Sequence, residues 1–192
     1  LHEAIRGSHG DVMNDLLENG ASVAAKDTND GFTPLHVAAQ TGEPEIVYLL
    51  LLKGAEADPM DNFGKTPLFL AALNGNVATA LALMAAGADA GLQCADDKRS
   101  VLHLAAKKGL VGLMRTAIER GADVDAVGMY QGSPLHEAAL YHEVEAIHVL
   151  LGAGANIEAR AEDGLTPLHL AVGLTTSSPK AMLALLKHGA DA

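Results

Sequence analysis

The sequence predicts an all-α repeat solenoid of six stacked helix–turn–helix units joined by β-hairpin finger loops. Three observations predict it. Thr33-Pro34-Leu35-His36 returns as Thr66-Pro67-Leu68-Phe69, Ser100-Val101-Leu102-His103, Ser133-Pro134-Leu135-His136 and Thr166-Pro167-Leu168-His169, at steps of 33, 34, 33 and 33 residues. A second ladder is interleaved with it: Gly20-Ala21, Gly54-Ala55, Gly87-Ala88, Gly121-Ala122, Gly154-Ala155 and Gly189-Ala190. Self-similarity at such a period is the signature of a repeat array. The third observation is composition: 49% hydrophobic but 3% aromatic and no Trp, which implies a core of Ala and Leu.

Each unit reads in the same order. Leu1-His2 is the tail of an earlier copy, 34 residues before Leu35-His36. The Thr or Ser hydroxyl suits an N-cap, and the Pro after it suits the first helical position, where its missing N–H costs little. A short first helix follows, with small pairs at Ala38-Ala39, Ala71-Ala72, Ala105-Ala106 and Ala138-Ala139. Such pairs let neighbouring helices approach closely. A turn comes next, as at Thr41-Gly42 and Asn74-Gly75, then an aliphatic second helix such as Ile46, Val47, Leu49, Leu50 or Val144, Ile147, Leu150, Leu151. The glycine of each Gly-Ala pair falls where a left-handed residue stops that helix. About ten residues rich in Asp, Asn and Gly turn formers lead to the next copy.

These motifs resemble the ankyrin repeat, through the Thr-Pro-Leu-His tetrapeptide and the Gly-Ala-Asp end, over the whole chain. The resemblance implies one domain over 1–192, with repeats at about 1–30, 31–63, 64–97, 98–130, 131–163 and 164–192. Repeats of this kind bury their apolar faces only against neighbours. The irregular places are legible too. Phe69 stands for the usual His, Val101 for the usual Pro, and His142 for the usual turn Gly. The last repeat carries a two-residue insertion, where Ser178-Pro179 reads as a fresh N-cap and first helical residue. The first repeat has a polar set (Glu3, Arg6, Asp11, Asn14, Asp15, Glu18), as a capping repeat requires. The last has Met182, Leu183, Leu185 and Leu186, from which we expect the array to be an excerpt of a longer protein.

Composition narrows the function classes. Charged residues at 19% beside so many aliphatics exclude a disordered chain. The single Cys94 excludes a disulfide scaffold. The longest runs without charge or Gly, such as Val77 to Ala86, are about half the ~20 residues a membrane span needs. A net charge of −11 argues against a general nucleic-acid binder. With no signal-like start and no Asn-x-Ser/Thr sequon, the expected setting is intracellular and cytoplasmic.

Chemistry is sought and not found. Of nine histidines, His2, His36, His103, His136 and His169 share one repeat position, which points to a structural role. His136-Glu137 followed by His142 lacks the His-Glu-x-x-His spacing that puts two imidazoles on one helical face. Gly64-Lys65-Thr66 echoes a phosphate loop, but Pro59 stands where that loop needs Gly. We therefore expect no catalytic, cofactor-binding or metal-binding residues, and no enzyme.

What remains is a binding surface. Phe32, Phe63 and Tyr130 fall in or beside fingers and Tyr141 closes a first helix, while Phe69 and Tyr48 read as helix interior. Leu73, Leu140, Leu165, Met60 and Met129 fall at surface-prone places. By the resemblance, partners dock on the finger tips and the concave groove of first helices. Residues 98–130 carry six of thirteen cations and a net +3. The sequence reading is thus a non-catalytic, monomeric scaffold for a protein or peptide partner. The expected contacts are Phe32, Phe63, Leu73, Asn74, Lys107, Lys108, Tyr130, Leu140 and Tyr141, with an acidic partner segment opposite Lys107 and Lys108. The alternative is a targeting module of a larger enzyme, channel or effector.

Overall fold

The computed structural model describes residues 1–173 and 179–191. It falls into two compact units, Leu1–Asp96 and Asp97–Ala192. The first holds α1 (His2–Arg6), α2 (Gly10–Glu18), α3 (Pro34–Thr41), α4 (Pro44–Leu52), α5 (Pro67–Asn74) and α6 (Val77–Ala85). The second holds α7 (Val101–Lys107), α8 (Val111–Glu119), a single 3-10 turn at Met129–Gln131, α9 (Pro134–Leu140), α10 (Val144–Gly152), α11 (Pro167–Val172) and α12 (Pro179–Lys187). The chain is a helical repeat solenoid. Within each unit odd-numbered helices pack on the next odd-numbered one, as α3 on α5 and α7 on α9. Even-numbered helices form the second layer, as α4 on α6 and α8 on α10. Pro179 opens α12; Ser178, its expected cap, lies outside the described residues.

The repeated tetrapeptide builds each helix start twice over. At α3, Thr33 sits in extended backbone and its hydroxyl oxygen accepts the His36 N–H. In return the Thr33 N–H donates to His36 Nδ1 at 3.1 Å. The same capping box recurs at Ser100 with His103, Ser133 with His136 and Thr166 with His169. Since Nδ1 accepts, the imidazole proton sits on Nε2. That N–H donates across to the next finger: His36 to the Lys65 carbonyl (3.0 Å), His103 to Gly132 (3.1 Å), His136 to Leu165 (3.2 Å) and His2 to Phe32 (2.7 Å). The rings of His36, His103 and His136 are thus neutral rivets between consecutive repeats, and His2 Nε2 makes the equivalent bond to the next finger. Phe69 has no ring nitrogen for either bond, and only the Thr66 cap on its N–H remains there.

The alanine pairs do what their size suggests. Ala38, Ala39, Ala71, Ala72, Ala105, Ala106, Ala138 and Ala139 are all fully buried, and Leu35, Leu68, Leu102 and Leu135 lie beside them. Val101 replaces the usual Pro without leaving the core. Tyr48, expected inside, is 53% exposed instead. Its helix, PEIVYLLLL, is apolar almost all round, so periodicity gave it no preferred side.

Turns between paired helices take the left-handed backbone, with Gly42 at φ 85° and Gly109 at φ 63°. His142 is held in the same conformation at φ 62°, and its Nδ1 is buried without a hydrogen-bond partner among the described residues. A non-glycine residue there costs of order 1 kcal/mol or more. His142→Gly is therefore expected to stabilise the chain by about 1 kcal/mol, read from urea midpoints; a loss of stability would show that the ring's packing outweighs the strain. The last turn of α10 offers a second gain. A Cβ at Gly152 would meet nothing within 4 Å, so Gly152→Ala should add roughly 0.5–1 kcal/mol.

The first two fingers are closed by acidic side chains together with one backbone bond each, Asp27 N–H to the Phe32 carbonyl and Asp61 N–H to the Lys65 carbonyl. Asp27 Oδ1 accepts the N–H groups of Asp30, Gly31 and Phe32, and Asp61 Oδ1 accepts those of Phe63 and Lys65. Successive fingers are stitched by individual hydrogen bonds, among them Asn62 N–H to the Asp30 carbonyl and Glu162 N–H to the Tyr130 carbonyl, each 2.8 Å, and Asn62 Nδ2 to the Asn29 carbonyl, 3.2 Å. No strand occurs among the described residues. No helix among them is long and apolar enough to cross a membrane.

Candidate functional site

The expected contact residues divide between the two units. In the first, Phe32 is not available. Only 7% of it is exposed, and its ring stacks on His36 with centroids 5.4 Å apart and planes 13° from parallel. A finger aromatic next to the capping histidine finds a flat partner there, which removes it from the surface. Phe63 is exposed in its own finger, with the Lys65 ammonium 4.8 Å over its ring. Leu73 and Asn74 end α5; both are exposed, and Asn74 Nδ2 donates to the Leu70 carbonyl. Cys94 is buried, with Sγ 3.5 Å from the Phe63 carbonyl.

The second unit gathers its residues more tightly. A cavity of about 220 Å³ is lined by Met129, Tyr130 and Gly132 of one finger, His136, Glu137 and Leu140 of α9, and Ala161, Asp163 and Leu170 beyond. Tyr130 is 70% exposed at its mouth, and Met129 and Leu140 are exposed beside it. The tip of this finger is strained: Tyr130 and Gln131 both take left-handed backbone, at φ 55° and 56°. Two consecutive non-glycine residues in that region cost of order 1–3 kcal/mol each. The tip is held by the Gly128 N–H to Gly132 carbonyl bond (2.9 Å) and by the bond from Glu162.

Next to the cavity, Tyr141 follows α9 and is exposed. The Lys107 ammonium lies 4.6 Å over its ring. Lys108 caps α7 and faces solvent. Glu137, considered in the sequence only as part of an incomplete metal motif, is half-buried. Burial pushes its carboxyl above the usual carboxylate range, and the Lys107 charge offsets only part of that. Nearby, Arg99 is paired with Asp97 at 2.5 Å. Leu165, expected at the surface, is half-buried, while Met60 and Met129 are exposed.

His148 Nδ1 and His188 Nε2 meet at 3.0 Å, both exposed. Among the described residues no group of three or more His, Cys, Asp or Glu is placed to hold a metal ion. The histidines of the repeat position are committed to caps and carbonyls, and burial holds His36, His103 and His136 below the ordinary imidazole value, His103 at about 4.

A family model described as ankyrin repeats (three copies) matches residues 1–94, 74–161 and 102–192. The chain belongs to the ankyrin-repeat family. Among curated proteins this ankyrin-repeat chain is 33% identical over 160 residues to neurogenic locus notch homolog protein 1 of Homo sapiens, covering 83% of the chain and 6% of that protein. It is 34% identical over 159 residues to the Mus musculus protein of the same name, again 6% of its length. The tyrosine-protein kinase HTK16 of Hydra vulgaris is 28% identical over 176 residues, covering 90% of the chain and 19% of the kinase. The chain thus spans a small fraction of the length of these relatives. Ankyrin repeats are in general protein–protein interaction modules.

Proposed function

We propose that this chain is a non-catalytic ankyrin-repeat module of six repeats that holds a protein or peptide partner on its first helices and finger tips. The observation that carries this reading is an exposed apolar group: Met129 and Tyr130, on a finger whose backbone is strained, with Leu140 and Tyr141 at the end of α9; the first three line one cavity. Exposed aromatic anchors in such a setting are favoured as binding hot spots. Phe63, Leu73 and Asn74 form a second candidate contact set, on the first unit. Lys108, and Lys107 beyond its tyrosine, would meet an acidic group of the partner. The chain would act as a monomer inside the cell.

The test is affinity for a captured partner. Tyr130→Ala with Leu140→Ala should cost about 2 kcal/mol or more, roughly thirtyfold in Kd. Phe63→Ala reads the first unit separately. Unchanged affinity in the Tyr130/Leu140 double variant, with its melting curve intact, would remove this reading. A second reading is a targeting module of a larger enzyme, channel or effector. The small share of its relatives that the chain covers, 6% to 19%, favours it. Joining the flanking sequence to the chain and assaying the whole protein with and without the partner separates the two.

A further inference from the structure

We infer that the cavity between the Met129–Gln131 turn, α9 and Asp163 receives a basic side chain, lysine or arginine, from a bound protein segment, with apolar residues on either side of it. The inference rests on the scaffold reading above and names what that site takes. Four features of the cavity converge on it.

Size comes first. About 220 Å³ is below the ~300–1,000 Å³ of small-molecule and cofactor sites, and suits one long side chain. Lining comes second. Met129, Tyr130, Leu140 and Leu170 supply apolar walls, and the charged groups among the lining residues are the two carboxylates of Glu137 and Asp163. A long cationic side chain matches such a wall, because its methylene stem packs on apolar surface while its head meets the acid.

Charge is the third. Glu137 is half-buried on α9, and the cation acting most strongly on it, Lys107, already lies over the Tyr141 ring. Arg99, which also acts on Glu137, is paired with Asp97. Asp163 keeps one carboxylate oxygen on the Leu165 N–H and is otherwise exposed. An acidic side chain entering here would meet like charge, whereas a basic one would gain an ion pair, strongest with half-buried Glu137. The fourth feature is Tyr130, whose exposed ring at the mouth can take a guanidinium or ammonium on its face. With Lys108 beyond the cavity, a segment carrying a basic anchor and an acidic residue would be read in one direction only.

The experiment is selection of random dodecapeptides displayed on phage against the intact chain, followed by affinity measurement of the enriched peptides. We expect the enriched peptides to share one Lys or Arg flanked by apolar residues. Glu137→Gln should weaken them at least tenfold, and replacing the peptide's Arg by citrulline should do the same while leaving the protein untouched. Raising salt should weaken the Arg peptide and not its citrulline counterpart. Enriched peptides that depend on Tyr130 and Leu140 but carry no basic residue, or that bind Glu137→Gln within twofold of wild type, overturn the basic anchor and leave the scaffold reading standing. No enrichment, or binding indifferent to both Tyr130→Ala and Leu140→Ala, overturns both.

Discussion

Replacing His103 by alanine is expected to cost roughly 4 kcal/mol of unfolding free energy. Three losses combine. The Ser100 N–H loses its acceptor at the start of α7, and loss of such a cap costs about 1 kcal/mol. The Gly132 carbonyl loses the Nε2–H that satisfied it, and orphaning a buried polar group costs about 1–3 kcal/mol. The ring itself is only 1% exposed, so its removal also leaves a cavity. His103→Phe keeps most of the volume and should cost about half as much, as the presence of Phe69 at the equivalent place implies. Urea unfolding followed by far-UV circular dichroism measures both. A cost below about 1.5 kcal/mol for the alanine variant would mean that the ring does not fasten neighbouring repeats together.

Mild acid is expected to undo the same fastening. An imidazole in the unfolded chain takes up its proton near pH 6.5, whereas burial delays protonation of His103 to about pH 4. Protonation thus favours the unfolded chain. The stabilisation is complete above about pH 7 and is lost as the pH falls from 6.5 towards 4. A shift of that size corresponds to about 3 kcal/mol from His103, with His36 and His136 depressed in the same direction and for the same reason. The urea midpoint should fall steeply between pH 6.5 and 4.5, and His103→Phe should flatten that fall. A midpoint unchanged from pH 7 to 5 would contradict the neutral, Nε2-protonated rings on which the bonds to Lys65, Gly132 and Leu165 depend.

What the sequence made legible follows the range of the interaction concerned. Thr33, Ser100, Ser133 and Thr166 act on a residue three places ahead, so their spacing alone identifies them as caps. The alanine pairs are legible because a small side chain at a repeated place has one main use. Phe32 and Tyr48 show where this reasoning stops. Phe32 is placed by stacking on His36, and Tyr48 by which side of an all-apolar helix meets α6; neither leaves a trace in local pattern. The cavity of the second unit was half legible. Tyr130 and Leu140 stood out as bulky residues at surface-prone places, but Glu137 carried no signal beyond an incomplete metal motif. It becomes distinctive only when Asp163, twenty-six positions away, lines the same wall.

The rivet described above also sets a rule for how such a chain can grow or shrink. Each ring nitrogen finds its oxygen 29 or 30 residues ahead, in the copy that follows. Duplicating or deleting a whole period hands every donor an acceptor of the same kind, so the molecule can change length without renegotiating its joints. A gain or loss of half a period breaks that match at once. Length changes in whole periods thus preserve these joints, and changes of any other size do not.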